Sequence, residues 1–161
     1  MKRLLNNEKQ NLAMKLAHQI KVSVFIHEEE DREKIFNKLL SLVHFNLKEE
    51  KIKLNEDTAI GFNNKKIKTY EIVLEKDRHI NGFLEKLKES LSQEQKELLL
   101  KQAESRLDNE RNFFIRLDKE KLLNNEIWIT DSGNCFHIKI SIAAFPAKRE
   151  KALEVVNQIF K

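Results

Sequence analysis

The sequence predicts an α+β fold: a mostly antiparallel sheet with helices packed on one of its faces. Three observations predict it. Apolar and polar residues alternate at 20–26, 70–74, 112–117 and 135–142, the period of half-buried strands. Between these segments apolar residues recur at spacings of three and four, the period of helices. The two kinds of segment mix without strict strand–helix–strand alternation, which argues against a parallel sheet. The order read along the chain is β-α-β-β-α-α-β-β-β-α. It forms a single domain over residues 18–161, preceded by an extension over residues 1–17.

Residues 1–17 carry Leu4, Leu5, Leu12 and Leu16 at loosely helical spacing. They are expected to be either helical or disordered. The strong patterns begin only after Met14, which marks that residue as an alternative start. In the first strand Ile20, Val22, Val24 and Ile26 share one face, and Lys21, Ser23, Phe25 and His27 share the other. The acidic run 28–31 suits the start of a helix with Ile35, Phe36, Leu39, Leu40 and Val43 inward, because carboxylates favour the positive end of a helix dipole. His44 is placed near its end. A short strand at 51–54 follows. A polar turn at either 55–57 or 61–66 then leads to a strand with Tyr70, Ile72 and Leu74 on one side.

Asp77 is expected to cap a helix carrying Ile80, Phe83, Leu84, Leu87 and Leu91. Ser92 with Gln95 reads as a capping box opening the next helix. Residues 112–117 alternate again, with a short helical turn near 119–123. The turn sequence Asp131-Ser132-Gly133-Asn134 predicts a hairpin between 126–130 and 135–142. Pro146 is expected at the first position of the last helix, whose apolar stripe is Ala152, Leu153, Val156, Ile159 and Phe160.

Composition bounds the function. The chain has 161 residues, 40% apolar and 35% charged, which is enough for one core and too apolar for wholesale disorder. No apolar run approaches the ~20 residues of a membrane-spanning helix, so no membrane partner is expected. A lone cysteine, Cys135, excludes an internal disulfide framework, and a cytoplasmic location is expected. Three glycines and one proline leave no room for Gly-rich phosphate loops. With 30 Lys+Arg against 26 Asp+Glu the net charge is only +4, so a basic surface has to be a local patch. Cys135 and His137 are too few ligands for a closed metal site, and no cofactor is expected. The carboxylate runs at 28–30 and 49–50 read as solvated helix ends. The chain is read as non-catalytic.

Two features point to a polyanionic partner. In the expected hairpin Thr130 faces Cys135, Trp128 faces His137, and Glu126 faces Lys139. Trp128, His137, Lys139 and Ser141 then gather on the side opposite the apolar set. Phe114 and Arg116 join them from the preceding strand, and Phe25 and His27 from the first. Bases stack on aromatic rings while cations engage phosphates, so this mixture fits RNA. The alternative is that a second copy or another subunit covers the face. Second, two helix starts carry cations where the dipole favours anions: Arg78 and His79 after Asp77, and Lys148 and Arg149 after Pro146. Bound phosphate would reverse that cost.

The segments Ser105-Arg106-Leu107-Asp108, 112–119, 143–153, Asp77-Arg78-His79 and the 20–26 strand resemble an archaeal family of predicted RNA-binding proteins. That family is described as a predicted exosome subunit, with a fold likened to large-subunit ribosomal protein five. The resemblance implies an archaeal source, RNA binding, no established catalytic site, and a place in RNA processing or ribosome-linked metabolism. The expected RNA-binding residues, taken from face and charge, are Arg78, His79, Phe114, Arg116, Trp128, His137, Lys139, Lys148 and Arg149. The expected partners are RNA, structured or single-stranded, or else a homodimer or RNA-processing complex.

Overall fold

The alternation that marks the first strand runs further than the sequence reading placed it. In a computed structural model describing residues 15–161, β1 spans Ala17–His27. It begins inside the expected extension, because Ala17 is fully buried and Leu16 accepts a backbone hydrogen bond from Ala143. The expected character of residues 1–14 lies outside the described residues.

Helix α1 (Arg32–Val43) is opened by Asp31, whose carboxylate accepts from the Lys34 N–H at 3.2 Å. It closes on His44 in the left-handed region, where the sequence reading put that histidine. β2 (Lys53–Ile60) is twice the expected length and joins β3 (Lys66–Leu74) through the second of the two candidate turns. Asn63 and Asn64 there take positive φ, the conformation that asparagine tolerates best after glycine. α2 (Asp77–Ser90) is preceded by Lys76, and Asp77 is its first residue without capping it. α3 (Gln93–Lys101) is capped by Ser92, which accepts from the Gln95 N–H at 3.2 Å. The four-residue α4 (Ala103–Arg106) leads by a turn to β4 (Asn112–Asp118) and α5 (Lys119–Leu123). β5 (Cys135–Ile142) and α6 (Arg149–Phe160) complete the chain.

The five strands form one antiparallel sheet in the order β2-β3-β1-β5-β4. Ile20, Val22, Val24, Ile72, Leu74, Phe113, Ile115, Phe136, Ile138 and Ile140 point to one side. There they merge with Ile35 and Leu39 of α1, Ile80 and Phe83 of α2, and Val156 and Phe160 of α6 in a single core. Helices thus cover one face, and the element order stands with its eighth member, residues 126–130, reduced to a one-residue bridge.

That bridge corrects the expected hairpin. Ile129 pairs with Leu117, not with Phe136, and residues 126–130 run along the outer edge of β4. The Asp118 N–H donates to Trp128 O, and the Thr130 N–H donates to Arg116 O. The partner of β5 is β4 itself, with Arg116 opposite His137 and Phe114 opposite Lys139. The loop sequence turns the chain, but it carries the chain across the end of β4. Gln95 explains why the edge segment stays. Its side chain donates to Ile127 O at 3.0 Å and accepts from the Ile129 N–H at 2.9 Å. The reciprocal half of the expected capping box is therefore spent on this tether. The last helix also starts later than expected: Lys148 is its N-cap residue, and Pro146 lies outside it.

Candidate nucleic-acid interface

Because side chains alternate across each strand, the face away from the helices is fixed by register. One row reads Lys53, Val73, Lys21, Lys139 and Phe114 across the five strands. The next reads Asn55, Glu71, Ser23, His137 and Arg116. Phe25 follows Ser23 on the same side of β1, its ring edge-on to the His137 ring at 5.5 Å between centroids. Phe25 and Phe114 are exposed.

The cations are unevenly spread. Lys21 stands directly opposite Lys139, a like-charge pair that a sheet normally avoids. Among the described residues no carboxylate lies within 4 Å of either ammonium. Arg116 is one row away and donates to the Asp131 carbonyl at 3.1 Å. Burial, with the charges of Arg116 and Lys119, holds the His137 imidazole below its ordinary pKa. A neutral ring at pH 7 follows. Lys139 also reaches Asp108 electrostatically. Burial pushes the Asp108 carboxyl up, but hydrogen bonds from Asn112 and the Glu110 N–H, with help from Lys139, bring it below the usual range. Asp108 thereby organises the turn that launches β4, accepting from the Asn112 N–H at 2.8 Å.

The expected site is split by the fold. Phe114, Arg116, His137 and Lys139 come together on the open face. Trp128 does not face His137, since β4 lies between them. It sits on the outer edge segment with the Lys121 ammonium 4.6 Å from its ring centroid. The helix-start cations stand elsewhere, and three of the four have partners of their own. Arg78 Nη2 donates to Glu50 Oε2 at 2.5 Å. His79 is 2% exposed, packed on the Phe45 ring and 3.2 Å from the same carboxylate. Hydrogen bonds from Arg78 and then His79 hold the Glu50 carboxyl below its ordinary range. Glu50, read from sequence as a solvated helix end, is thus the anion at the start of α2. Arg149 donates to Leu107 O at 2.9 Å, to Asp108 O at 3.3 Å and to Glu104 O, fastening α6 to the end of α4. Lys148 is exposed and in no ion pair among the described residues.

Two residues on this side were missed from sequence. Lys21 was assigned the right face, but its opposition to Lys139 is a register effect between strands 118 residues apart in number, which no local pattern shows. Arg106 lies in the Ser105-Arg106-Leu107-Asp108 segment noted for the family resemblance. Its side chain is nearly buried beside Phe114 O and Gln102.

The Cys135 thiol is buried, and burial raises its pKa, so it is held protonated. Its sulfur lies 3.5 Å from His137 Nε2. Among the described residues no group of three or more His, Cys, Asp and Glu stands together to hold a metal. No described helix is long and apolar enough to cross a membrane.

The chain is of the class of α+β proteins with one antiparallel sheet and helices on one of its faces, and among the described residues the other face carries cations and aromatic rings. The sequence comparisons narrow that class: a family profile described as RNA binding matches residues 19–142, and the chain belongs to this family. It is 30% identical over 142 residues to the RNA-binding protein PAB1135 of Pyrococcus abyssi, covering 88% of this chain and 92% of that one. Solved structures share the fold. Protein AF2318 from Archaeglobus fulgidus superposes with a TM-score of 0.79 at 29% identity, covering 89% of this chain and 99% of that one. Mth689 from Methanothermobacter thermautotrophicus, called a DUF54 protein, superposes with a TM-score of 0.74 at 27% identity, covering 91% and 100%. All three relatives are archaeal.

Proposed function

We propose that this chain binds RNA without covalent chemistry, on the open face of its sheet. The observation that carries the reading is the Lys21–Lys139 opposition in the middle of that face. A like-charge pair between adjacent strands costs stability, and a phosphate lying over both ammonium groups turns the cost into attraction. Arg116 extends the cationic strip, and Phe25 and Phe114 offer ring faces to unpaired bases. Each stacked base contributes about 1–3 kcal/mol. Splayed bases are available in single strands and loops, whereas an RNA duplex hides them in a groove too narrow for side chains. Single-stranded or loop RNA is therefore the preferred target. The family resemblance supports extending this reading to a role in archaeal RNA processing or ribosome-linked metabolism, including the exosome.

The helix-start cations contribute less to this reading. Arg78 and His79 are committed to Glu50, and Arg149 to backbone carbonyls, which leaves Lys148 as the one of the four with no such partner among the described residues. The test is a titration of single-stranded and duplex RNA at low and moderate salt. Affinity for the single strand, falling steeply with salt, is the expected result, and Phe114→Ser lowers it several-fold. Absence of RNA affinity at low salt overturns the reading. Salt-insensitive self-association on light scattering would instead favour an interface that buries the same aromatic face against a second copy.

A further inference from the structure

Beside the open face, between α4 and β4, lies a pocket of about 450 Å³ lined by Gln102, Ser105, Arg106, Phe114, Arg116 and Asp131. Its floor and rim are guanidinium groups. Arg106, with its side chain 10% exposed, is held by Gln102 Oε1, which accepts from Nε at 3.0 Å and from Nη2 at 2.7 Å. Arg116 reaches the same place from β4. Both meet Asp131: Arg106 Nη2 lies 3.7 Å from Oδ1, and Arg116 Nη1 donates to the carbonyl. Burial lowers the Arg106 pKa, the Asp131 carboxylate raises it, and the Arg116 charge lowers it again. The two cations thus feel one another.

Asp131 is a weak counterion for this pair. Its side chain is 91% exposed and sits on the loop that follows residues 126–130. One solvated carboxylate, near Arg106 and with no ion pair to Arg116, set against two guanidiniums leaves a net positive pocket. Guanidinium forks match the oxygens of a phosphate, which they grip bidentately. Phe114 is common to the pocket wall and to the open face. The volume exceeds what a phosphate group alone requires and leaves room for a sugar or base edge.

Resting on the RNA reading above, we propose that this pocket receives one nucleotide of the bound RNA. Its phosphate lies on Arg106 and Arg116, its base lies against Phe114, and it displaces the Asp131 carboxylate. Asp131 then acts as a stand-in anion that RNA must push aside. That gives the proposal a signature that loss of a binding residue does not: removing Asp131 tightens binding.

The test is fluorescence anisotropy of a labelled single-stranded RNA dodecamer with the full chain at low salt. Asp131→Asn is expected to tighten binding about threefold to fivefold, by freeing a charge-assisted contact. Glu154→Gln, which removes an equal charge from α6 on the helix side, is expected to leave affinity within a factor of about 1.5, as befits a screened distant charge. Arg116→Gln is expected to weaken binding about tenfold. Comparison of 5′-phosphorylated with 5′-hydroxyl RNA tells a terminal phosphate from an internal one, and either source satisfies the proposal. If the unaltered chain binds RNA and Lys139→Gln weakens it, but Asp131→Asn and Glu154→Gln behave alike, the pocket assignment is wrong and the face assignment survives. If the unaltered chain binds no RNA, both fall.

Discussion

His137 bears on stability and, under the proposed RNA reading, on binding. Its folded pKa lies below the ordinary 6.5, through burial and then the Arg116 and Lys119 charges. His44 is also lowered, by burial and Lys86. In each case the unfolded chain takes up its proton first. The stability these rings contribute is full above about pH 6.5 and is lost as pH falls from there through the folded pKa values. Urea denaturation between pH 7.5 and 5 should show that decline, and His137→Gln should make it shallower. RNA acts in the opposite direction. A phosphate near the ring raises its pKa, so binding strengthens as pH falls below neutrality, and His137→Gln flattens the affinity profile. Arg149 and Lys148 divide in another way. Arg149→Ala strips three carbonyls of a charged donor and should cost about 1.5–3 kcal/mol on denaturation, whereas Lys148→Ala should stay within about 0.5 kcal/mol. Charge at these positions was readable in the sequence. The partners that consume it were not, because Glu50 and the α4 carbonyls approach from 28 or more residues away.

At the scale of elements, the strands and helices that bury one face followed directly from periodicity, since a segment's own spacing reports which side is apolar. Pairing did not. The Asp-Ser-Gly-Asn turn favours a local hairpin, yet residues 126–130 lie on the far edge of β4, held by the two bonds from Gln95. A glutamine one turn into a helix gives no hint of such a tether. Gln95→Ala should cost about 1–3 kcal/mol, because it leaves two partly buried backbone groups unpaired. Amide exchange at Ile129 and Thr130 should accelerate with it. Lys119 is a second tether invisible in the sequence. It is 2% exposed and donates to Phe25 O at 2.7 Å and to Glu30 at 3.1 Å. It thus joins the start of α5 to the end of β1 and to the loop before α1. Lys119→Met should destabilise the fold by about 3 kcal/mol on denaturation, the low end for breaking a buried pair, since Glu30 retains some contact with water.

For the molecule as a whole, the decisive asymmetry is that every described helix contributing to the core packs on one side of the sheet. A net charge of only +4 would not draw RNA. What concentrates the field is the fold, which sets Lys21, Lys139 and Arg116 side by side and leaves the acidic groups Asp57 and Glu71 toward the β2–β3 edge. The face opposite the core was legible from alternation alone, because polar residues alternating with a buried set have to lie opposite it. Its cationic centre was only half legible, because it depends on which strands are neighbours. The measurement that tests this most directly is the salt dependence of single-stranded RNA affinity for the Lys21→Gln, Lys139→Gln double variant beside the unaltered chain. Loss of two phosphate contacts should weaken binding at least tenfold at low salt. It should also reduce the slope of log affinity against log salt by about 1.4, at ~0.7 per contact. A folded double variant with unchanged affinity and unchanged slope would contradict the assignment of RNA to this face.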